Sequence, residues 1–106
     1  MRMGEKTGMR RFSQDHVARI AERARALGET ARVRMVETLS RGKHTVGQLA
    51  TALGMRQSTA SKHLQVLYHA GLVQRQRAAS AVIYSLTARD VMPWCRYLGN
   101  RQLARR

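Results

Sequence analysis

Residues 57–65 carry side chains that suit hydrogen bonding to the edges of nucleic-acid bases. At about 100° per residue, Ser58, Ser61, Lys62 and Gln65 fall on one side of a helix, and no acid interrupts them. Gln can pair with adenine, Lys with guanine, and Ser with almost any base edge in a major groove. An ordinary solvated helix usually mixes Glu with Lys, so this composition favours a DNA-reading surface over a plain polar face.

The opposite side of the same stretch is apolar. Ala60, Leu64, Leu67 and Gly71 recur at i, i+4, i+7 and i+11, which places them on one stripe that can face a core. Gly71 is also a suitable residue just beyond a helix end. The stretch therefore predicts a recognition helix over about residues 57–70.

The charge of the chain points to a polyanionic partner. The 106 residues contain 20 Lys and Arg against 6 Asp and Glu, for a formal net charge of +14. No acid occurs between Glu37 and Asp90, an interval that contains Arg41, Lys43, Arg56, Lys62, Arg75, Arg77 and Arg89. Because an acid-free basic surface attracts nucleic acid, this function is favoured over a solvated basic face.

A turn positions the recognition helix. Thr45 and Gln48 stand three residues apart as a capping box, which predicts a short helix from there to about Leu53. Gly54 then allows a tight turn, and Arg56 stands at the start of the next helix. A short helix, a brief turn and a longer polar-faced helix predict a helix-turn-helix. The predicted DNA contacts are Thr45, Arg56, Gln57, Ser58, Ser61, Lys62, His63, Gln65, Arg75 and Arg77.

After Gly71 the apolar period changes from that of a helix to that of a strand. Residues 72–77 and 81–86 predict two strands, joined by a turn at residues 78–80 that lacks Gly and Asn. A hairpin behind a recognition helix is a wing, from which Arg75 and Arg77 can reach phosphates. We expect Tyr84 to pack within it. The predicted fold is mainly α with a small β-hairpin, a winged helix-turn-helix.

Amphipathic helices are predicted near both ends, at about residues 13–27 and 88–103. Ser13 can cap the first, and another helix begins with Thr30 as its N-cap and Val33, Val36 and Leu39 facing inward. Two narrow terminal stripes cannot both hide on a core this small, so they predict a twofold homodimer. The expected interface residues are Val17, Ile20, Ala24, Val91, Trp94, Cys95 and Leu98. Residues 1–11 read as a basic flexible arm and 12–106 as a single domain.

Three segments resemble the ArsR/SmtB family of winged-helix transcriptional repressors. Residues 27–36 are similar to its opening Leu-(Ala/Gly)-Asp-Pro-x-Arg pattern, with Glu29 and Thr30 in place of Asp and Pro. Residues 53–64 resemble the family's recognition segment, and residues 82–86 its second wing strand. The resemblance implies a homodimer, built from the first and last helices, that binds an imperfect palindrome in double-stranded DNA.

The sequence departs from the metal-sensing members of that family. Their best-known site is a Cys-x-Cys pair on the helix before the turn, where this chain has residues 45–49 without a thiol. A second family site uses Asp and His on the last helix, which here offers Asp90 and no His. His16, His44 and His69 lie on separate elements, and zinc requires about four ligands. The resemblance therefore implies the metal-independent branch, and we expect neither a metal nor another cofactor.

Two residues have open alternatives. His63 borders the apolar stripe, where phosphate contact and packing are equally favoured. Cys95 is more readily a small buried residue at the dimer seam, but Arg96 or another cation could make it a low-pKa thiol sensor. Because it is the single cysteine, no disulfide can form within the chain, which favours a reducing compartment.

Other function classes find less support in the sequence. No pair of carboxylates at catalytic spacing, phosphate-binding loop or nucleophile–base pair suggests an enzyme. No apolar run suits a membrane span and residues 1–11 lack the apolar segment of a secretory signal, so we expect a cytoplasmic protein without a membrane partner. A winged-helix protein-interaction module and a basic RNA-binding accessory protein remain the alternatives to a DNA-binding repressor.

Overall fold

The computed structural model describes residues 11–87 and 91–100, which form helices and a small antiparallel sheet. The elements are α1 (Gln14–Ala26), α2 (Thr30–Leu39), β1 (His44–Thr45), α3 (Val46–Leu53), α4 (Gln57–His69), β2 (Val73–Ala78), β3 (Ala81–Leu86) and α5 (Val91–Leu98). The predicted arm lies outside the described residues except for Arg11, as do residues 88–90 and 101–103 of the predicted last helix and residues 104–106. The winged helix-turn-helix fold is confirmed.

The core forms where α2, α3 and α4 meet. Met35 and Val36 from α2, Leu49 from α3, and Leu64 and Leu67 from α4 are its largest fully buried side chains. Each helix therefore contributes a narrow apolar stripe, and burial of these stripes is the main force that holds the helices together. The apolar side predicted for the recognition helix is confirmed.

The sheet has one strand more than the sequence predicted. In the order β1-β3-β2, the two residues of β1 pair with β3, His44 opposite Tyr84 and Thr45 opposite Ile83. A pair of residues is too short to show a period, so no pattern marked this strand. Its position anchors the start of α3 to the hairpin.

The hairpin forms despite its unusual turn. β2 begins one residue later than predicted, and Ala78 pairs with Ala81, which leaves Ala79 and Ser80 as the loop. A two-residue hairpin loop commonly needs positive φ, and Ala79 has a φ of 56°. Ala79 thus takes the left-handed conformation for which Gly or Asn is usually selected.

The predicted start of α1 agrees with the structure, whereas that of α2 differs from it. The Ser13 hydroxyl accepts a hydrogen bond from the His16 amide at 3.1 Å, which confirms the predicted cap of α1. The prediction of Thr30 as a cap is wrong, because Glu29 occupies the cap position and makes no capping bond with its side chain.

Val33 was also predicted wrongly. It is 38% exposed because the buried stripe of α2 is centred on Met35 and Leu39, which turns Val33 away from the core. Leu39 and Val36 are buried as predicted.

Candidate nucleic-acid interface

Both ends of α3, the helix that precedes the turn, have a defined local structure. At the start of α3, the Thr45 hydroxyl accepts from the Gln48 amide at 3.1 Å and the Thr45 amide donates to Gln48 Oε1 at 2.9 Å, confirming the capping box. At its end, Gly54 has a φ of 65°, a conformation that side-chain-bearing residues rarely adopt. These features set the direction in which α4 leaves the turn.

α4 separates its apolar and polar side chains as the sequence predicted. Ala60, Leu64 and Leu67 are completely buried. The side chains on the other side are exposed, and none of them makes a hydrogen bond or an ion pair with another residue in the described part of the chain; they are Gln57, Ser58, Ser61, Lys62 and Gln65. Their donors and acceptors are therefore available to an external partner. We call these residues the α4 polar row.

The first turn of α4 leaves its backbone amides uncapped. Arg56 occupies the cap position, and its side chain provides no capping bond. Free amides at a helix start attract anions, since they coincide with the positive end of the helix dipole. Gln57 also lines an open groove with Lys43, Thr45 and Gly47, so this predicted contact lies beside the start of α3.

His63 is placed against the protein rather than in the polar row. Its side chain is 18% exposed, and its Nδ1 atom lies 3.2 Å from Arg32 Nη1. Glu29 Oε1 lies 4.0 Å from its Nε2 atom. Of the two alternatives left open by the sequence, packing is therefore favoured, because the imidazole is occupied by α2 and the residue that precedes it. Its prediction as a DNA contact is not supported by this geometry.

The two wing arginines differ in their surroundings. Arg75 lies over the Tyr68 ring of α4, with its guanidinium carbon 3.9 Å from the ring centroid. Arg77 pairs in register with Val82 nearer the hairpin tip and makes no ion pair with a residue that the structure describes. Both are exposed, but only Arg75 is held by an aromatic ring. Tyr84, which the sequence predicted to pack within the wing, is half-buried and packs against the core.

The predicted dimer residues lie mainly on an exposed surface of the single chain. Val17, Ile20 and Leu98 are 50%, 42% and 52% exposed. Ala24 is also exposed, whereas Trp94 and Cys95 are half-buried. Val91 is 7% exposed, so it already belongs to the core of one chain.

A cavity joins the two terminal helices. It has a volume of about 380 Å³ and is lined by Ile20 and Arg23 from α1, Gly71 and Leu72 after α4, Thr87, and Val91 and Trp94 from α5. Three of the predicted interface residues, Ile20, Val91 and Trp94, therefore face a common space.

Comparison with known proteins identifies the family of this chain. The profile of the bacterial regulatory proteins of the arsR family matches residues 29–75, which span α2 to the first half of β2. The crystal structure of Rv0081 from Mycobacterium tuberculosis has 33% sequence identity and a TM-score of 0.71, over 88% of this chain and 93% of that one. This chain belongs to the arsR family.

Two further proteins are similar to this chain in sequence or structure. The HTH-type transcriptional regulator NmtR of Mycobacterium tuberculosis is 39% identical over 69 residues, which are 65% of this chain and 58% of NmtR. The solution structure of the homodimeric winged helix-turn-helix DNA-binding domain Mb0332 from Mycobacterium bovis has a TM-score of 0.76 at 27% identity. It covers 90% of this chain and 94% of that domain. The chain spans less than two thirds of the length of the curated relatives it matches, from 33% to 63%.

Metal-binding residues are not clustered in the described part of this arsR-family chain. Among residues 11–87 and 91–100, no three His, Cys, Asp or Glu side chains lie close enough to hold a metal ion. Within the same ranges, no helix is sufficiently long and apolar to cross a bilayer. Asp90, the carboxylate named for the last helix, lies outside the described residues.

The environment of Cys95 opposes the thiol-sensor hypothesis. Burial raises the pKa of the Cys95 thiol, because the charged thiolate is penalised where water is excluded. A reactive sensor thiol needs the opposite change. The small-hydrophobe alternative fits the half-buried position better.

Sequence reasoning missed the arginines that bind the ends of helices. Arg23 Nε donates to the Ala70 carbonyl at the end of α4 over 3.0 Å, and Arg32 Nε donates to the Ala26 carbonyl at the end of α1 over 2.6 Å. These contacts join residues from different elements, so no helical period could reveal them. The one available signal was the position of Arg32 at the Arg of the family's opening pattern.

Proposed function

We propose that the protein is a sequence-specific DNA-binding transcriptional regulator that acts as a repressor. The observation that carries the proposal is the α4 polar row, whose exposed amide, hydroxyl and ammonium groups have no partner within the described chain. Inserted in a major groove, Gln57, Ser61 and Lys62 on the first turns would reach base edges. Family membership supports this reading, since relatives include transcriptional regulators and a biofilm growth-associated repressor.

The DNA-binding unit that we propose is a homodimer on a palindromic operator. Exposed apolar side chains on α1 and α5 would be buried against a second copy, and the similar Mb0332 domain is homodimeric. A twofold axis would place the two recognition helices about 34 Å apart, so that they enter successive major grooves on one side of the duplex. The operator would then contain two related half-sites.

The proposal includes neither catalysis nor a resident cofactor. The similar proteins are described as regulators, and the α4 polar row lacks a nucleophile–base pair. We expect a cytoplasmic protein without a membrane partner, and we expect stoichiometric zinc, nickel or cadmium not to release DNA. One tightly bound metal per protomer, coupled to DNA release, would contradict that expectation.

The function can be tested by selection and titration. Duplexes are selected from a random library, and binding is compared with scrambled duplex and with RNA of the same sequence, alongside the DNA upstream of the gene. We expect one enriched palindrome, preferred over both competitors. Equal affinity for scrambled duplex, or a preference for RNA, would replace the proposal by non-specific or RNA binding. Sedimentation should show a dimer at micromolar concentration, whereas a monomer with and without DNA would contradict the assembly.

A further inference from the structure

Arg32 lies on α2 and contacts both α1 and α4. These contacts lie on the side of α4 that faces the protein. Its Nε atom donates to the Ala26 carbonyl at 2.6 Å, and its Nη2 atom lies 3.4 Å from the Arg25 carbonyl. Carbonyls at a helix end lack partners within the helix, so the guanidinium completes the last turn of α1. The Arg32 side chain is only 15% exposed, which keeps these bonds away from competing water.

The third contact of Arg32 defines the chemical state of His63. Its Nη1 atom lies 3.2 Å from His63 Nδ1. A guanidinium can only donate, so Nδ1 must accept and can carry no proton. A hydrogen bond in this arrangement therefore requires a neutral imidazole with its hydrogen on Nε2.

The charges around His63 act in opposite directions. Among the described residues, Arg32 and Glu29 face the ring from α2 and its cap, while the exposed Lys62 is its neighbour on α4. Glu29 Oε1 is 3.8 Å from Arg32 Nη1 and 4.0 Å from His63 Nε2, and its side chain is 55% exposed. Water screens this carboxylate more than the largely buried guanidinium. Protonation of Nδ1 would thus replace a hydrogen bond by two cations in contact.

We propose that Arg32 is a positioning residue, which holds α4 in its DNA-binding orientation relative to α1 through neutral His63. Protonation of the ring breaks this link and weakens operator binding. The inference rests on the proposed function, since it assigns a pH response to the same DNA-binding helix. Because imidazoles commonly take up a proton between about pH 5 and 8, the link between Arg32 and His63 is tested across that range.

The state of the ring can be tested without DNA. Nitrogen-15 NMR of the free protein at about pH 7.5 should show His63 with hydrogen on Nε2 and an unprotonated Nδ1. Arg32→Lys should change the Nδ1 signal, because an ammonium cannot reproduce the planar set of donors that reaches the ring and the α1 carbonyls together. A proton on Nδ1 at that pH in the folded wild-type protein would overturn the proposal.

The effect on DNA is tested with His63→Asn. Its amide oxygen can accept from Arg32, but the side chain does not titrate in this range. With a duplex selected at about pH 7.5, wild-type binding should weaken roughly tenfold on acidification to about pH 5.5, and His63→Asn binding should change much less. His16→Asn is the matched control, since His16 is an exposed histidine on α1 whose ring contacts Phe12, and it should respond as wild type does.

The outcomes separate the inference from the proposed function. If His63→Asn lost affinity in parallel with wild type on acidification, the positioning role would be overturned although operator binding stood. If selection returned no preferred duplex, the proposed function would fail, and the NMR measurement would still decide whether the Arg32–His63 link exists. Arg32→Lys should also weaken operator binding roughly tenfold at about pH 7.5. Unchanged affinity in that variant would count against the inference.

Discussion

Two surfaces of this protein present groups that the described chain itself does not satisfy or cover, and the chemistry of the two surfaces differs. The α4 polar row presents hydrogen-bonding groups that have no partner in the described chain. The surface of α1 and α5 presents apolar groups that the core does not cover, including Ile20 at 42% and Leu98 at 52% exposure. A polar surface gains most from a partner with matching donors, acceptors and charge, whereas an apolar surface gains most from being removed from water.

The two surfaces therefore suit different partners. The stretch without acids around α4 favours a polyanion, and the apolar surface favours another protein chain. The two requirements are linked in a dimer, since pairing of α1 and α5 would bring two polar rows onto one duplex. Substitutions on the apolar surface should then affect DNA binding through assembly, while those in the polar row should affect it directly.

The largest effect is expected when the apolar surface is made charged. Ile20→Glu should prevent dimerisation, because a carboxylate would be buried without a partner. Since the two half-sites are then no longer joined, operator affinity should fall roughly a hundredfold or more. Sedimentation and DNA titration measure the two effects.

The matched control is Val33→Glu, which adds the same charge at an exposed apolar residue of α2. It should remain dimeric and bind the operator with an affinity near that of wild type. A dimeric Ile20→Glu protein would show that the interface lies elsewhere.

The next largest effect concerns recognition by the polar row. Gln57→Ala or Ser61→Ala should cost about 1–3 kcal/mol on the selected operator and little on random DNA, because only correct base edges match these groups. Titrations on the two duplexes give the ratio directly. If both variants retained the full operator preference, the reading surface would have to lie outside the first turns of α4.

A smaller and less selective effect is expected at the wing. Arg77→Ala should weaken binding to operator and random DNA alike, and it should lower the slope of log affinity against log salt by about 0.9, since one phosphate contact is lost. Titrations on both duplexes at several salt concentrations provide the measurement.

Arg75 provides the contrast on the same strand. It already lies over Tyr68, so Arg75→Ala should reduce stability by about 0.5–1 kcal/mol and change the salt slope less than Arg77→Ala does. A selective loss of operator preference in Arg77→Ala would contradict the assignment of this residue to phosphate.

Local patterns predicted the elements and the direction of α4. The Thr45 cap, the Gly54 turn and the stripe of Leu64 and Leu67 depend on residues close in sequence, so their spacing was sufficient. The same reasoning failed for Val33, because the sequence does not state which side of a weakly amphipathic helix meets the core. β1 was missed for a related reason: its pairing with Tyr84 and Ile83 depends on residues far along the chain.

Contacts between elements also limited the prediction of the site. The α4 polar row could be predicted from the periodicity of one helix. The roles of His63 and Arg75 depend instead on their contacts with Arg32 and Tyr68, and the periodicity of a single element does not predict contacts between elements. Both residues had been assigned to DNA from their charge or position alone. The structure shows that each is engaged by a neighbouring helix, and this distinction requires knowledge of tertiary packing.

The smallest effect is expected at Cys95, which lies beside the apolar surface and away from the polar row. Its raised pKa means that less thiolate is present at about pH 8 than in a free cysteine, so alkylation by iodoacetamide should be slower than that of a free cysteine. The rate should rise as pH increases through the raised pKa, and unfolding in urea should remove the difference. Cys95→Ser should leave operator affinity within about twofold, because a small half-buried side chain is exchanged for one of similar size. Alkylation faster than that of free cysteine near pH 7 would instead indicate a stabilised thiolate, and the apolar surface would then contain a redox-sensitive residue.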